Sequence, residues 1–181
     1  MSLFDDLRET FREPWRPVGR TALLAWTACY ALFLVYAFRN REGFLLVDNA
    51  NLVVHEAGHA LFGWFGPTLG LWGGTILQLL VPLLLAASFA YKRQTAAAAF
   101  CMFLFFENFL YVATYMADAR TQLLDLVSLG GGEPPEHDWY LMLTQIGMLQ
   151  KDTAIAAVVR VMGYLGMIGS VGWLWLRARA R

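Results

Sequence analysis

The sequence predicts an all-α, polytopic membrane helical bundle of about five transmembrane helices preceded by an N-terminal amphipathic helix. Two observations carry this. The 181 residues are 58% hydrophobic and only 15% charged, with a mean hydropathy of +0.47, too apolar for an ordinary soluble domain. The apolar residues also come in runs of about 20, the length that crosses a bilayer, parted by short polar joints. Formal net charge is zero and no basic tract is present. That excludes nucleic acid as a partner and leaves membrane lipids as the surroundings.

Residues 1–20 form an interfacial segment. Leu3, Phe4, Leu7, Phe11 and Trp15 recur at helical spacing among arginines and acids, as in a helix lying on the membrane surface. Pro14 and Pro17 end it. Residues 21–181 form a single transmembrane domain. Its expected spans are Thr21 to Phe38, Phe44 to Phe65, Leu69 to Tyr91, Thr95 to Ala117 and Thr153 to Leu176, the last interrupted by Arg160. The first is longer than a signal h-region and has no evident cleavage site, so it reads as retained. Cys29 and Cys101 both fall in spans and form neither a disulfide framework nor a metal pair.

Five spans divide the cations almost evenly. Arg8, Arg12, Arg16, Arg20, Arg120 and Lys151 fall on one side; Arg39, Arg41, Lys92, Arg93, Arg177, Arg179 and Arg181 fall on the other. Counted this way, the positive-inside rule gives no orientation. A re-entrant stretch at Trp139 to Gln150 is the alternative that brings both termini to one side. Trp15, Trp64, Trp72 and Trp139 read as anchors at one interface, Trp173 and Trp175 at the other. Gly163, Gly166, Gly169 and Gly172 allow close helix contact along the last span.

The chemistry is concentrated in His55-Glu56-Ala57-Gly58-His59, an H-E-x-x-H pattern inside the second span. Ionisable side chains in a membrane segment are costly and by default functional. On a helix His55 and His59 share one face, so both imidazoles can reach one metal ion, and Glu56 beside them stands where a general base belongs. The chain has only three histidines, which excludes the histidine-rich di-iron membrane oxygenases and fits a single zinc ion. A catalytic zinc takes three protein ligands and keeps one position open. The third ligand is expected from Asp118, which ends the fourth span, or from His137, in the polar loop Glu136-His137-Asp138-Trp139. With the second and fourth spans parallel, Asp118 starts roughly 12 Å deeper than His59, and His137 must fold back from its loop. Glu107 is the next candidate.

Glu107, Tyr111, Thr114 and Asp118 recur on one face of the fourth span, and Asn108 adjoins them. That polar stripe is expected to wall the site's cavity, or else to bond between helices, with Glu107 paired to Arg160 as one specific form. Asp48 lies about two turns before His55. It can orient a ligand imidazole, cap the helix or meet interfacial water.

His55-Glu56-Ala57-Gly58-His59, followed by Gly66-Pro67 and Gly70-Leu71-Trp72-Gly73-Gly74 and then two further spans, resembles the site-2-type intramembrane zinc metalloproteases. The resemblance implies that the two histidines bind zinc, that Glu56 activates water, and that an aspartate from a later span completes the site. Asp118 holds the analogous place in order. The family's Leu-Asp-Gly run has no counterpart here, and Leu124-Asp125-Leu126 lacks its glycine. Asp48 to Trp139 looks more like a small bacterial branch of the family, which implies a bacterial cytoplasmic membrane.

The expected function is therefore an integral-membrane zinc metallopeptidase hydrolysing peptide bonds of membrane-protein or peptide substrates in or near the bilayer. Hydrolysis of a lipid amide or ester, and a non-catalytic scaffold held together by zinc, are the alternatives. The Gly66 to Gly74 stretch is expected to offer a backbone edge to an extended substrate.

Overall fold

The computed structural model describes residues 13–40, 43–126 and 136–179. The expected amphipathic helix falls largely on residues 1–12, outside the described residues. Among the described residues all regular structure is helical. In order these are α1 (Arg20–Arg39), α2 (Asp48–Gly63), α3 (Pro67–Tyr91), α4 (Thr95–Ala117), α5 (Asp138–Gln145), a 3-10 turn (Leu149–Lys151) and α6 (Asp152–Arg179). Four units are long and apolar enough to cross a membrane: α1, α3, α4 and the continuous stretch Leu149–Arg179.

The expected second span behaves differently. Helix begins only at Asp48, and the 16 residues of α2 extend about 24 Å, short of a hydrocarbon core of about 30 Å. Local polar contacts set that start. Gly43 takes a φ of +86°, a conformation open to glycine and strained for most other residues. The amide of Leu45 donates to the Asp48 carboxylate at 2.6 Å. The amide of Leu46 donates to the Tyr36 hydroxyl at 3.0 Å. Residues 44–47 therefore form a tethered turn against α1.

α4 packs most extensively on α6, antiparallel to it. Arg120, just past α4, binds Asp152 at the start of α6, with N–O distances of 2.8 Å. Farther along, Gly163 and Gly166 lie under Leu110 and Phe106. α1 runs alongside α6, where Trp175 Nε1 donates to Thr27 Oγ1 at 2.9 Å. Its Tyr30 and Phe33 rings meet Phe103 of α4 at centroid distances of 4.6 and 5.5 Å. On the other flank α3 packs on α4 and crosses α2, where Gly58 and Gly73 touch backbone to backbone. A Cβ on either would overlap the other's main chain.

The bundle has two unlike ends. At one, residues 13–19 lie over the α3–α4 turn and the end of α6. There the Arg16 amide donates to the Arg93 carbonyl at 2.9 Å, and Trp15 packs edge-on against Trp173 at 4.9 Å. The other end gathers the start of α3, the end of α4, α5 and the start of α6. Trp72 and Trp139 meet there at 6.3 Å. Trp15 thus joins Trp173 rather than Trp72 and Trp139, because α2 does not make a full crossing and the ends regroup.

Candidate metal centre

α2 presents His55 and His59 toward α3. Their rings lie edge to face, 4.8 Å apart. His59 Nδ1 donates to the Gly70 carbonyl at 2.8 Å. A carbonyl only accepts, so the proton is on Nδ1, and Nε2 is left with its lone pair unless the ring is charged. His55 Nδ1 meets Gln78 Oε1 at 3.0 Å, the same arrangement with a side-chain carbonyl. Both Nε2 atoms point to one spot. Gly74 keeps that spot clear: a Cβ there would sit 2.5 Å from His59 Nε2 and 2.6 Å from His55 Nε2.

The carboxylate that meets the two histidines belongs to Asp138, in the first turn of α5. Its Oδ2 lies 3.0 Å from His55 Nε2 and 3.1 Å from His59 Nε2. The Tyr115 hydroxyl steadies the aspartate twice, lying 3.3 Å from Oδ2 and accepting from the Asp138 amide at 3.1 Å. Burial works against ionisation of this carboxylate, and the two rings beside it work for it whenever they carry positive charge, so its pKa is lowered.

The two third-ligand candidates expected from sequence, Asp118 and His137, meet each other instead. His137 caps α5, with Nδ1 accepting from the Tyr140 amide at 3.2 Å. Its Nε2 lies 3.5 Å from Asp118 Oδ2. Burial lowers the His137 pKa, in keeping with a neutral ring. Asp118 closes the turn after α4 by accepting from Thr121 Oγ1 at 2.6 Å and from the amides of Leu123 and Leu124 at 2.9 and 3.0 Å. Burial opposes ionisation of Asp118, but these donors and His137 prevail and its pKa is lowered. Asp118 and His137 together seat the start of α5, and so place Asp138.

Glu56 is half-buried and makes no hydrogen bond among the described residues. It faces a cavity of about 470 Å³ whose wall includes His55, His59, Asp138 and Tyr111. The rest of that wall is largely apolar, with Phe44, Leu52, Leu71 and Leu141 prominent. The cavity reaches Asp125 and Glu136 at the α5 end of the bundle.

The polar stripe of α4 divides between two places. Tyr111 and Tyr115 lie level with His55, at ring distances of 6.1 and 5.9 Å. Glu107 lies lower, beside the first turn of α2, where Asn51 Nδ2 donates to Glu107 Oε2 and to Asp48 Oδ1, both at 3.0 Å. Asp48 thus ties its own turn and Asn51, and makes no contact with a ligand imidazole. Asn108 turns back on its own helix, donating to the Leu104 carbonyl at 2.9 Å. Arg160 reaches Thr114 Oγ1 at 3.3 Å rather than Glu107.

Gln78 and Asp138 were not among the candidates from sequence. A signal for each existed. Gln78 is a lone amide in the apolar middle of a span, functional by default. Asp138 shares a helical face with Met142, which is fully buried against the bundle. Comparison with known protein families, curated proteins and solved structures finds no match.

Proposed function

We propose that this protein is a membrane-embedded zinc hydrolase of the metallopeptidase type, with His55, His59 and Asp138 as ligands and Glu56 as general base. One observation carries the reading: two imidazole Nε2 atoms lie against bare backbone at Gly74 and meet one carboxylate oxygen of Asp138, and each Nδ1 is engaged by a carbonyl oxygen. Such acceptors repel unless positive charge lies among them. With each Nδ1 facing a carbonyl, protons would supply it by charging the two imidazoles, a costly arrangement for partly buried rings, or by protonating Asp138. One divalent cation replaces either. Tetrahedral zinc bonds of 2.0–2.1 Å separate ligand atoms by about 3.3 Å, close to the 3.0 and 3.1 Å found here.

When bound, zinc supplies Lewis acidity and brings a water's pKa toward about 7. The chain's own groups supply the rest. Glu56, without a hydrogen-bond partner among the described residues, takes the water's proton and delivers it to the leaving nitrogen. Gln78 and the Gly70 carbonyl fix the ring orientations, as outer-shell acceptors commonly do for metal-binding histidines. Tyr115 holds Asp138. The cavity's apolar wall accommodates hydrophobic side chains of an unwound peptide segment, since an intact helix keeps its backbone protected. We read α2 as the fifth helix within the bilayer, embedded in the bundle rather than crossing it, in a multi-pass protein of a bacterial cytoplasmic membrane. The same apolar wall favours a second reading, hydrolysis of a lipid amide or ester.

Zinc content and turnover of the purified protein test this. Wild type is expected to hold one zinc per chain. Asp138→Ala should lose nearly all of it, while Glu56→Gln should keep zinc and lose hydrolysis of a model transmembrane peptide. Full zinc in Asp138→Ala would overturn the ligand set. Glu56→Gln turning over like wild type would overturn the mechanism, and activity on lipid amides alone would select the second reading.

A further inference from the structure

We infer that the Trp15 end of the bundle faces the cytoplasm and that the cavity holding His55, His59 and Asp138 opens to the opposite side of the membrane. The inference follows from α2. Because α2 does not cross, the segment before α1 and the end of α6 lie at the same end, together with the α3–α4 turn. The cations regroup accordingly. Among the described residues the Trp15 end carries Arg16, Arg20, Lys92, Arg93, Arg177 and Arg179, whereas the α5 end carries Arg39, Arg120 and Lys151. Arg160 lies inside the α6 span and counts for neither.

Lysines and arginines near the ends of spans set orientation, and the better-supplied side stays in the cytoplasm. The near-tie that five crossings produce becomes a twofold excess with four. Arrangement at the two ends agrees. Arg93 and Arg177 lie over the Trp15 ring at 5.1 and 5.2 Å, the amphipathic belt expected where basic residues meet anionic headgroups. The α5 end instead holds Asp118, Asp125, Glu136, Asp138 and Asp152, and its Arg120 is already bound to Asp152 at 2.8 Å.

On the proposed reading of the site, its substrates are peptide segments presented on the far side of the membrane, and its zinc is taken up from there. The orientation itself does not depend on that reading. Its test uses single cysteines in a Cys29→Ala, Cys101→Ala background, with a membrane-impermeant maleimide on intact cells. Leu123→Cys, at the α5 end, should label at once; Lys92→Cys should label only after permeabilisation. The reverse pattern, or equal labelling of both in intact cells, overturns the orientation. A fluorescent-protein fusion after α6 gives an independent readout: it should fluoresce, as cytoplasmic fusions do, and a dark, exported fusion overturns the proposal. Zinc measured in the same membranes separates the two readings. With both right, an impermeant chelator outside intact spheroplasts strips the bound zinc. Stripping only from inverted vesicles overturns the orientation, and absence of zinc in either preparation counts against the metal site alone.

Discussion

The α2–α3 and α4–α6 crossings both depend on glycine, and they use it for opposite ends. At α2–α3, Gly58 and Gly73 face one another and the two backbones touch. Little side-chain surface is shared at that point; what is gained is position. The close approach brings His55 and His59 against Gly74 and within reach of Gly70 and Gln78. At α4–α6 the glycine receives a side chain, since Gly166 lies directly under the Phe106 ring. In lipid, helices gain little from the hydrophobic effect, so such interlocking supplies much of the attraction. One crossing fixes the geometry of a polar centre, and the other holds the scaffold that carries it.

Four substitutions test that contrast. Gly58→Ala should have the largest effect, because its Cβ would meet main chain that cannot turn aside. A loss of about 3 kcal/mol is expected, at the upper end for overpacking, with zinc lost in parallel; thermal unfolding in detergent and metal analysis measure both. Gln78→Leu should leave unfolding nearly unchanged and weaken zinc roughly 10–100-fold, the usual range for removing an outer-shell partner. Competition with a chelator of known affinity reads this, and unaltered zinc affinity would show that Gln78 does not orient His55. The smallest effects belong to α6. Gly166→Ala should destabilise by about 1–2 kcal/mol as Phe106 is displaced, with zinc retained. Gly169→Ala, whose Cβ would meet nothing within 4 Å, should be neutral or stabilise by up to about 1 kcal/mol through helix propensity. Equal effects at Gly166 and Gly169 would remove the distinction between them.

Much of this was legible in the sequence. Apolar runs give α1, α3, α4 and α6 to within a few residues, because span length is set by the bilayer and is hard to disguise. The late start of α2 was not legible. Residues 44–47 are apolar enough to continue a span, and what stops the helix is the tether of Leu45 to Asp48 and of Leu46 to Tyr36, the latter a contact with another helix. At the site, His55, Glu56 and His59 follow from helical spacing alone. Asp138 does not. Three ionisable side chains stand consecutively at 136–138, of which only His137 was a candidate, and which one turns inward depends on where α5 begins. His137 takes the capping position, and that places Asp138 on the inner face with Met142. Its place at the end of the fourth span pointed to Asp118, although depth counting set it roughly 12 Å deeper than His59, and that carboxylate is occupied by the turn amides that follow it.

The distance along the chain between the converging groups has a consequence for biogenesis. Asp138 lies 83 residues after His55 and 79 after His59. A nascent chain therefore exposes both imidazoles and Glu56 well before the carboxylate emerges, and α5 can seat only against α4 and the start of α6. On the proposed ligand set, the histidines offer only two ligands until the last helix is inserted, too few to hold a metal ion tightly. Capture of the ion would then report that insertion is complete, and a chain truncated before α5 would lack the carboxylate that completes the proposed centre.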